Sequence, residues 1–175
     1  ASASECTTCI RGSYCDGSNS TEITGPCSAG HHCPPGSNAS ASLITQCITG
    51  HFCLSGNVAP LPCPVKTYMP TRGATSLAAC LDCSAGSFCS SPGLSSPTGS
   101  CAAGYYCPAG GISASAIPCT AGHYCPTAAA LPTACPNGTS DIYCPSNVIT
   151  PIQCPVGTYG SFRPLSPVST WPVLH

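Results

Sequence analysis

The most reactive side chains of this chain are those of its cysteines, which number 18 in 175 residues. Six times the sequence repeats Cys, two residues, Gly, one residue, an aromatic residue or His, and Cys. These pairs are Cys9/Cys15, Cys27/Cys33, Cys47/Cys53, Cys83/Cys89, Cys101/Cys107 and Cys119/Cys125. A looser seventh pair and four further cysteines complete the set, namely Cys135/Cys144, Cys6, Cys63, Cys80 and Cys154. Thiols at this density form either disulfides or metal sites.

The spacing favours disulfides over zinc. Cys6/Cys9 and Cys80/Cys83 each have the Cys-x2-Cys spacing of half a zinc site, but neither is followed by a second pair at zinc-finger distance. Because such a density of cysteine persists only where thiols oxidise, we expect a secreted or cell-surface protein with every cysteine oxidised. Residues 9–53 and 83–144 each contain an even number of cysteines. Disulfides within the short loops and disulfides across the longer segments, such as Cys15–Cys27, are both consistent with these numbers.

Composition excludes an ordinary globular domain. Gly and Pro contribute 18 and 20 residues, and only 5% of residues are charged. Covalent cross-links therefore take the place of a large hydrophobic core. Four Lys and Arg residues cannot neutralise a nucleic-acid backbone, so we expect no nucleic-acid partner. No stretch has the length and apolar character of a membrane span, and we expect no cofactor.

The cysteine intervals predict a tandem array of hairpins. The short interval is five residues, whereas the longer one is 9, 11 or 13 residues, and steps of two suit hairpins in which each strand gains one residue. We therefore expect an elongated, disulfide-rich rod of short β-hairpins and turns. A larger repeat overlies the units and divides the chain into a flank (1–5), two super-repeats (6–79 and 80–159) and a Pro/Ser-containing apolar tail (160–175).

Residues 63–83 resemble a known family. Cys63-Pro-Val-Lys-Thr-Tyr, then Gly73, then Cys80-Leu-Asp-Cys83 is similar to the ephrin-receptor-like cysteine-rich repeat, which is related to tumour-necrosis-factor-receptor modules. Lys66 stands where that family has Gly, and Cys154-Pro-Val-Gly-Thr-Tyr begins the motif again. The units resemble the variant abundant in large extracellular proteins of protists and algae. This resemblance implies a Cys63–Cys80 disulfide.

Several residues offer other chemistry. His31, His51 and His123 follow the repeated glycine and suggest a metal ladder, but other units have Ser or Tyr there, so we expect no metal site. The aromatic residue of each unit predicts a miniature core beside a disulfide, or alternatively a platform for sugars. The few acidic residues form no pair at catalytic spacing, so we expect no enzyme activity.

Glycosylation accounts for the solubility of a chain with so little charge. N-glycosylation sequons begin at Asn19, Asn38 and Asn137. Pro/Ser-rich stretches suited to O-glycosylation contain Ser91, Ser95, Ser96 and Ser166. We expect covalent glycans at these positions.

The sequence favours a structural function. Units that contact mainly their neighbours build a one-dimensional array, so we expect a glycosylated extracellular fibre, of the flagellar-hair or wall-filament type. Cys6 and Cys154 have no partner in the pairing scheme, and Trp171 lies in the apolar tail, so these residues predict head-to-tail homopolymerisation or further repeats of a longer chain. The alternative is a ligand-binding or adhesive ectodomain of a cell-surface receptor.

Overall fold

The protein is an all-β array of very short hairpins. The computed structural model describes residues 7–17, 22–42, 45–136 and 141–158, and in these ranges fourteen two-residue strands form seven antiparallel hairpins. The strands are β1 Ser13–Tyr14, β2 Gly25–Pro26, β3 His51–Phe52, β4 Leu61–Pro62, β5 Thr67–Tyr68, β6 Leu81–Asp82, β7 Ser87–Phe88, β8 Gly99–Ser100, β9 Tyr105–Tyr106, β10 Ile117–Pro118, β11 His123–Tyr124, β12 Thr133–Ala134, β13 Ile142–Tyr143 and β14 Ile152–Gln153. A 3-10 turn, Leu77–Ala79, precedes β6. The predicted fold class is confirmed.

All hairpins share one register. Ser13 pairs with Pro26, so the residue after the repeated glycine lies opposite the residue before the next cysteine. The same positions pair in β3–β4 through β13–β14, and His31 pairs with Gln46 in an isolated bridge. The longer intervals are therefore the hairpin loops, as predicted. Their extra residues lengthen the loops rather than the strands, which differs from the expectation of one added residue per strand.

The structure selects the short-loop disulfides. Seven of them close single units, namely Cys9–Cys15, Cys27–Cys33, Cys47–Cys53, Cys83–Cys89, Cys101–Cys107, Cys119–Cys125 and Cys135–Cys144. The register explains this choice. Because Ser13 faces Pro26, Cys27 lies opposite Gly12 and is offset by three residues from Cys15. Three residues of strand span about 10 Å, beyond the reach of a disulfide.

The eighth disulfide, Cys63–Cys80, agrees with the pairing implied by the family resemblance. Residues 63–69 form a unit like the others, but Met69 occupies the position of the second cysteine. Met69 is buried, with 3% of its surface exposed, and accepts the hydrogen bond from Gly50 that a cysteine carbonyl accepts elsewhere. Cys63 therefore lacks a short-loop partner. The loop after this unit, which carries the 3-10 turn, brings Cys80 to it.

The core consists of aromatic side chains and disulfides. Phe52 packs with Cys63 and Met69 of the following unit, and Tyr106 packs against Cys119 and Cys125 of the unit after its own. The miniature core predicted from the aromatic position is therefore confirmed in these two units. Twelve described cysteines are almost completely buried, so the sulfur atoms occupy the interior that aliphatic side chains fill in larger proteins.

Candidate functional site

A ladder of backbone hydrogen bonds joins each unit to the next. We number the units by their residues: units 1 to 8 are 9–15, 27–33, 47–53, 63–69, 83–89, 101–107, 119–125 and 135–144, and unit 9 begins at 154. Gly12 of unit 1 donates its N–H to the carbonyl of Cys33 (2.8 Å) and accepts from the N–H of Cys27 (2.9 Å). Equivalent donors and acceptors follow at Gly30–Cys53, Gly50–Met69, Lys66–Cys89, Gly86–Cys107, Gly104–Cys125 and Gly122–Cys144.

A second set of bonds comes from the turn after each unit. The N–H of Gly36, in the turn after unit 2, donates to the carbonyl of Cys9 in unit 1 (2.8 Å). The equivalent donors and acceptors are Gly56–Cys27, Gly73–Cys47, Gly93–Cys63, Gly110–Cys83, Ala128–Cys101 and Asn147–Cys119. Each backbone hydrogen bond contributes a net of about 0.5–1.5 kcal/mol, so the repeated set fixes the position of one unit on the next.

Each unit also contacts the turn two units further along. Gly12 has φ +83°, and a Cβ atom placed there would lie 2.5 Å from the carbonyl oxygen of Gly56, in the turn after unit 3. A Cβ at Gly30 would lie 2.7 Å from the carbonyl oxygen of Gly73, in the turn after unit 4. At Gly12 and Gly30, glycine is therefore favoured both by the left-handed backbone and by this close approach. The partner two units away is evident only from the structure.

Among the residues that the structure describes, three other than glycine have positive φ, and all lie in glycine positions of the repeat. Lys66 (φ 81°) takes the place of the repeated glycine, whereas Ala128 (φ 62°) and Asn147 (φ 61°) take the place of the turn glycine. Ala128 therefore lies in a turn and not in the helical turn that a run of alanines allows. The recurrence of Gly36, Gly56 and Gly110 three residues after a cysteine marks this turn position in the sequence.

Unit 9 reproduces unit 4 as far as it is described. Gly157 has φ 85°, close to the 81° of Lys66. Thr158 donates its hydroxyl to the carbonyl of Pro155 at 2.7 Å, as Thr67 does to Pro64 at 2.7 Å. Cys154 donates its N–H to Asp141 of unit 8, so it occupies the position of a first cysteine. Unit 9 thus begins another repeat with the local conformation of unit 4.

Cys154 is the exception to the expectation that every cysteine is oxidised within this scheme. It has no disulfide and is half-buried, whereas the equivalent Cys63 is fully buried and bonded to Cys80. The physical reason lies in the spacing, because Gly160 and Trp171 stand where unit 4 has Met69 and Cys80. The two other residues predicted to take part in assembly, Cys6 and Trp171, lie outside the described residues.

Unit 9 also exposes surfaces that the inner units bury. Gly157 is exposed, whereas Gly12, Gly30 and Gly50 are buried. No described atom lies within 4 Å of a Cβ placed at Gly157, and the side chain of neighbouring Val156 is fully exposed.

The histidines line the array without forming a cluster. His51 donates its Nδ1–H to the carbonyl oxygen of Thr49 at 3.0 Å, whereas the Nδ1 atoms of His31 and His123 are buried without a hydrogen-bond partner. In the described ranges, no three His, Cys, Asp or Glu side chains come together as metal ligands. Three cysteines of the two candidate zinc pairs, Cys9, Cys80 and Cys83, form disulfides with cysteines outside those pairs.

The predicted glycosylation positions that are described are open to solvent. Asn38 is exposed in the hairpin loop after unit 2. Ser91, Ser95 and Ser96 are exposed in the loop after unit 5. The remaining predicted positions, Asn19, Asn137 and Ser166, lie outside the described residues. Modifying enzymes can therefore reach the four described side chains without unfolding a unit.

Comparison of the sequence with protein-family models gave no match, and comparison with curated proteins gave no match either. Across the described ranges, the structure contains no helix long and apolar enough to cross a bilayer. The abundance of disulfides supports an extracellular location, because such bonds persist in oxidising compartments. The resemblance to the ephrin-receptor-like repeat remains a hypothesis based on the residues quoted above.

Proposed function

We propose that this protein is a non-enzymatic structural component of an extracellular fibre, assembled head to tail from copies of the chain. The observation that carries this proposal is the hydrogen-bond ladder, which repeats with one register from Gly12 to Asp141. A head-to-tail interface that repeats between successive units builds a one-dimensional array, and where the repeat does not close into a ring it generates a filament. A fibre of flagellar-hair or wall-filament type fits the resemblance to repeats of protist and algal surface proteins.

The positions of Cys6 and Cys154 in the sequence support a covalent linkage between copies. Cys80 lies three residues before Cys83, the first cysteine of unit 5, and bonds to Cys63 of the preceding unit. Cys6 stands three residues before Cys9, the first cysteine of unit 1. If unit 1 of a second copy follows unit 9, Cys6 takes the place of Cys80 and Cys154 takes the place of Cys63. Exchange with an oxidised dithiol of the secretory compartment would accept the two electrons and two protons released.

Glycans complete the proposed surface of the fibre. Exposed aliphatic side chains such as Ile10, Leu54 and Leu131 give the array an apolar exterior, and few charged residues offset it. Glycans at Asn19, Asn38 and Asn137 and at the Ser-rich loops would supply the missing hydration. Peptide mass spectrometry of the native protein tests this, and complete absence of glycan from all three asparagines contradicts it.

Electron microscopy of the secreted chain tests the fibre itself. Negatively stained protein at increasing concentration should show unbranched filaments of growing length, and non-reducing peptide mapping should recover a Cys6–Cys154 linked peptide. Monodisperse single particles at all concentrations, with analytical ultracentrifugation showing a monomer, would instead favour the receptor or adhesin ectodomain.

A further inference from the structure

We propose that the Cys63–Cys80 disulfide is an exchange site, at which a small external thiol attaches to Cys80 while the rest of the array stays folded. The inference does not depend on the fibre proposed above. It follows from three properties that distinguish this disulfide from those that close single units: the exposure of Cys80, the length of the loop, and the way in which the backbone holds Cys80.

Cys80 is the accessible half of this disulfide. It is half-buried, whereas Cys63 is fully buried. An open groove of about 320 Å³ follows the same loop, and its lining includes Met69 and the two sequence neighbours of Cys80, Ala79 and Leu81. A small thiol therefore has room to approach Cys80. In the units on either side, units 3 and 5, all the cysteines are fully buried.

The loop that Cys63–Cys80 closes is the longest among the described disulfides. The two cysteines are 17 residues apart in sequence, against six in Cys9–Cys15 and nine in Cys135–Cys144. The probability that a flexible loop brings its ends together falls as about the 3/2 power of its length. From length alone, an opened Cys63–Cys80 should reclose about fivefold less readily than an opened Cys9–Cys15.

The backbone fixes the cysteines of single units but holds Cys80 only through its own loop. Cys53 accepts a hydrogen bond from the N–H of Gly30 (2.8 Å) and donates its own N–H to Ala74 (2.9 Å), so it stays in place if its disulfide opens. Cys80 instead donates its N–H to Leu77 (3.0 Å), in the 3-10 turn of the same loop. Leu77 is 54% exposed. Cys80 can therefore move away from its partner together with this turn.

Unit 4 keeps its place in the array without the disulfide. Cys63 donates its N–H to Gly50 (2.9 Å) and accepts a hydrogen bond from Gly93 (2.8 Å). Buried Met69 accepts the N–H of Gly50 (2.8 Å), and β6 pairs with β5 through its own residues. All these bonds lie outside residues 76–80. Exchange therefore releases that segment and leaves the ladder intact.

The exchange reaction is balanced in atoms and electrons. A thiolate attacks the sulfur of Cys80, the bond to Cys63 breaks, and the electron pair leaves on the sulfur of Cys63, which takes up the proton lost by the incoming thiol. One thiol and one disulfide give one disulfide and one thiol, without net oxidation. Phe52, Met69 and Ala74 pack with Cys63, and this apolar environment favours the neutral thiol, which attacks slowly. The mixed disulfide at Cys80 should therefore persist.

Glutathione tests the proposal in the full chain under native conditions, after free thiols have been blocked with N-ethylmaleimide and the excess removed. New thiols are trapped with iodoacetamide, and peptide mapping locates both the glutathione and the trapped thiol. Cys9–Cys15 is the internal control, because Cys15 is half-buried like Cys80. Cys15 differs in donating its N–H to Ser37 (3.0 Å) and in closing a shorter loop.

We expect glutathione on Cys80 and a trapped thiol on Cys63, at a level at least about fivefold above any product from Cys9–Cys15, with the circular dichroism spectrum unchanged. Equal levels from the two disulfides would mean that exposure alone controls the reaction, and would overturn the proposal. Glutathione on Cys63 instead of Cys80, or opening of all disulfides together, would overturn it as well.

The double variant Cys63→Ala/Cys80→Ala separates exchange from unfolding. Its array should keep the wild-type circular dichroism spectrum, and the N–H of Gly50, which bonds to Met69, should stay protected from hydrogen exchange. Loss of this protection would show that unit 4 needs the disulfide to stay in the array, which contradicts exchange in a folded chain.

Discussion

Replacing Gly12 by alanine tests the close contact between units 1 and 3 on which the whole array depends. The variant places a methyl group 2.5 Å from the carbonyl oxygen of Gly56, in a backbone conformation with φ +83°. Gly17→Ala is the matched control, because Gly17 has φ +76° and no atom lies within 4 Å of its added Cβ. The two variants share the backbone strain, and only the first adds a steric conflict between units.

The magnitude follows from these two contributions. Alanine in the left-handed region costs about 1–2 kcal/mol relative to the right-handed region, and this cost applies to both variants. Forcing an additional methyl group into a close-packed contact costs about 1–3 kcal/mol more, and this cost applies only at Gly12. Gly12→Ala should therefore lower local stability by about 2–5 kcal/mol, against about 1–2 kcal/mol for Gly17→Ala.

Amide hydrogen exchange measures this difference where it arises. The N–H groups of Cys27 and Gly56 report on it, since Cys27 donates to Gly12 and Gly56 donates to Cys27, each at 2.9 Å. A difference of about 1–3 kcal/mol should make them exchange about 5- to 150-fold faster in Gly12→Ala than in Gly17→Ala. Equal exchange in the two variants would mean that the turn after unit 3 does not lie on unit 1.

Three other predictions concern the exceptions to the repeat. Met69→Cys restores a second cysteine to unit 4, so a disulfide from position 69 to Cys63 should compete with Cys63–Cys80. Non-reducing peptide mapping should then detect a free Cys80 thiol. Exclusive retention of Cys63–Cys80 would contradict the equivalence of Met69 and cysteine. Lys66→Gly relieves a left-handed lysine and should raise the unfolding free energy by roughly 0.5–1 kcal/mol in guanidinium titrations, whereas Lys66→Ala should give no such gain. Iodoacetamide under native, non-reducing conditions should label Cys154 in the isolated chain and leave it unlabelled in fibres; labelling in both states would contradict a disulfide between copies.

The sequence predicted the hairpins because the cysteine intervals constrain where the chain can reverse direction. It left the disulfide pattern open because pairing depends on strand register, and two-residue strands carry too little side-chain pattern to fix a register. Once Ser13 faces Pro26, Cys27 cannot reach Cys15, and the short loop remains. The family resemblance supplied Cys63–Cys80, but the reason for that exception, Met69 in a cysteine position, required the structure.

The candidate site was predicted only in part for a similar reason. Cys6 and Cys154 could be recognised from the sequence, because each lacks a counterpart at the repeat spacing. The close approach of another turn to Gly12 could not, because a glycine's role depends on what approaches its Cα, and the approaching turn lies two units away. Contacts of this kind leave no local pattern. They are visible only as the recurrence of glycine three or four residues after a cysteine or its substitute, as at Gly56 and Gly93.

Contact with the next two units has a consequence for how the array grows. A unit in the interior has both its ladder bonds and its glycine covered, as at Gly50, whereas the last two units of any array lack one or both. In an array stabilised by nearest-neighbour contacts, each added unit contributes the same free energy while the incomplete ends cost a fixed amount. An interior unit therefore gains contacts with both of the units that follow it, as unit 3 does through Met69 and through the turn at Gly93.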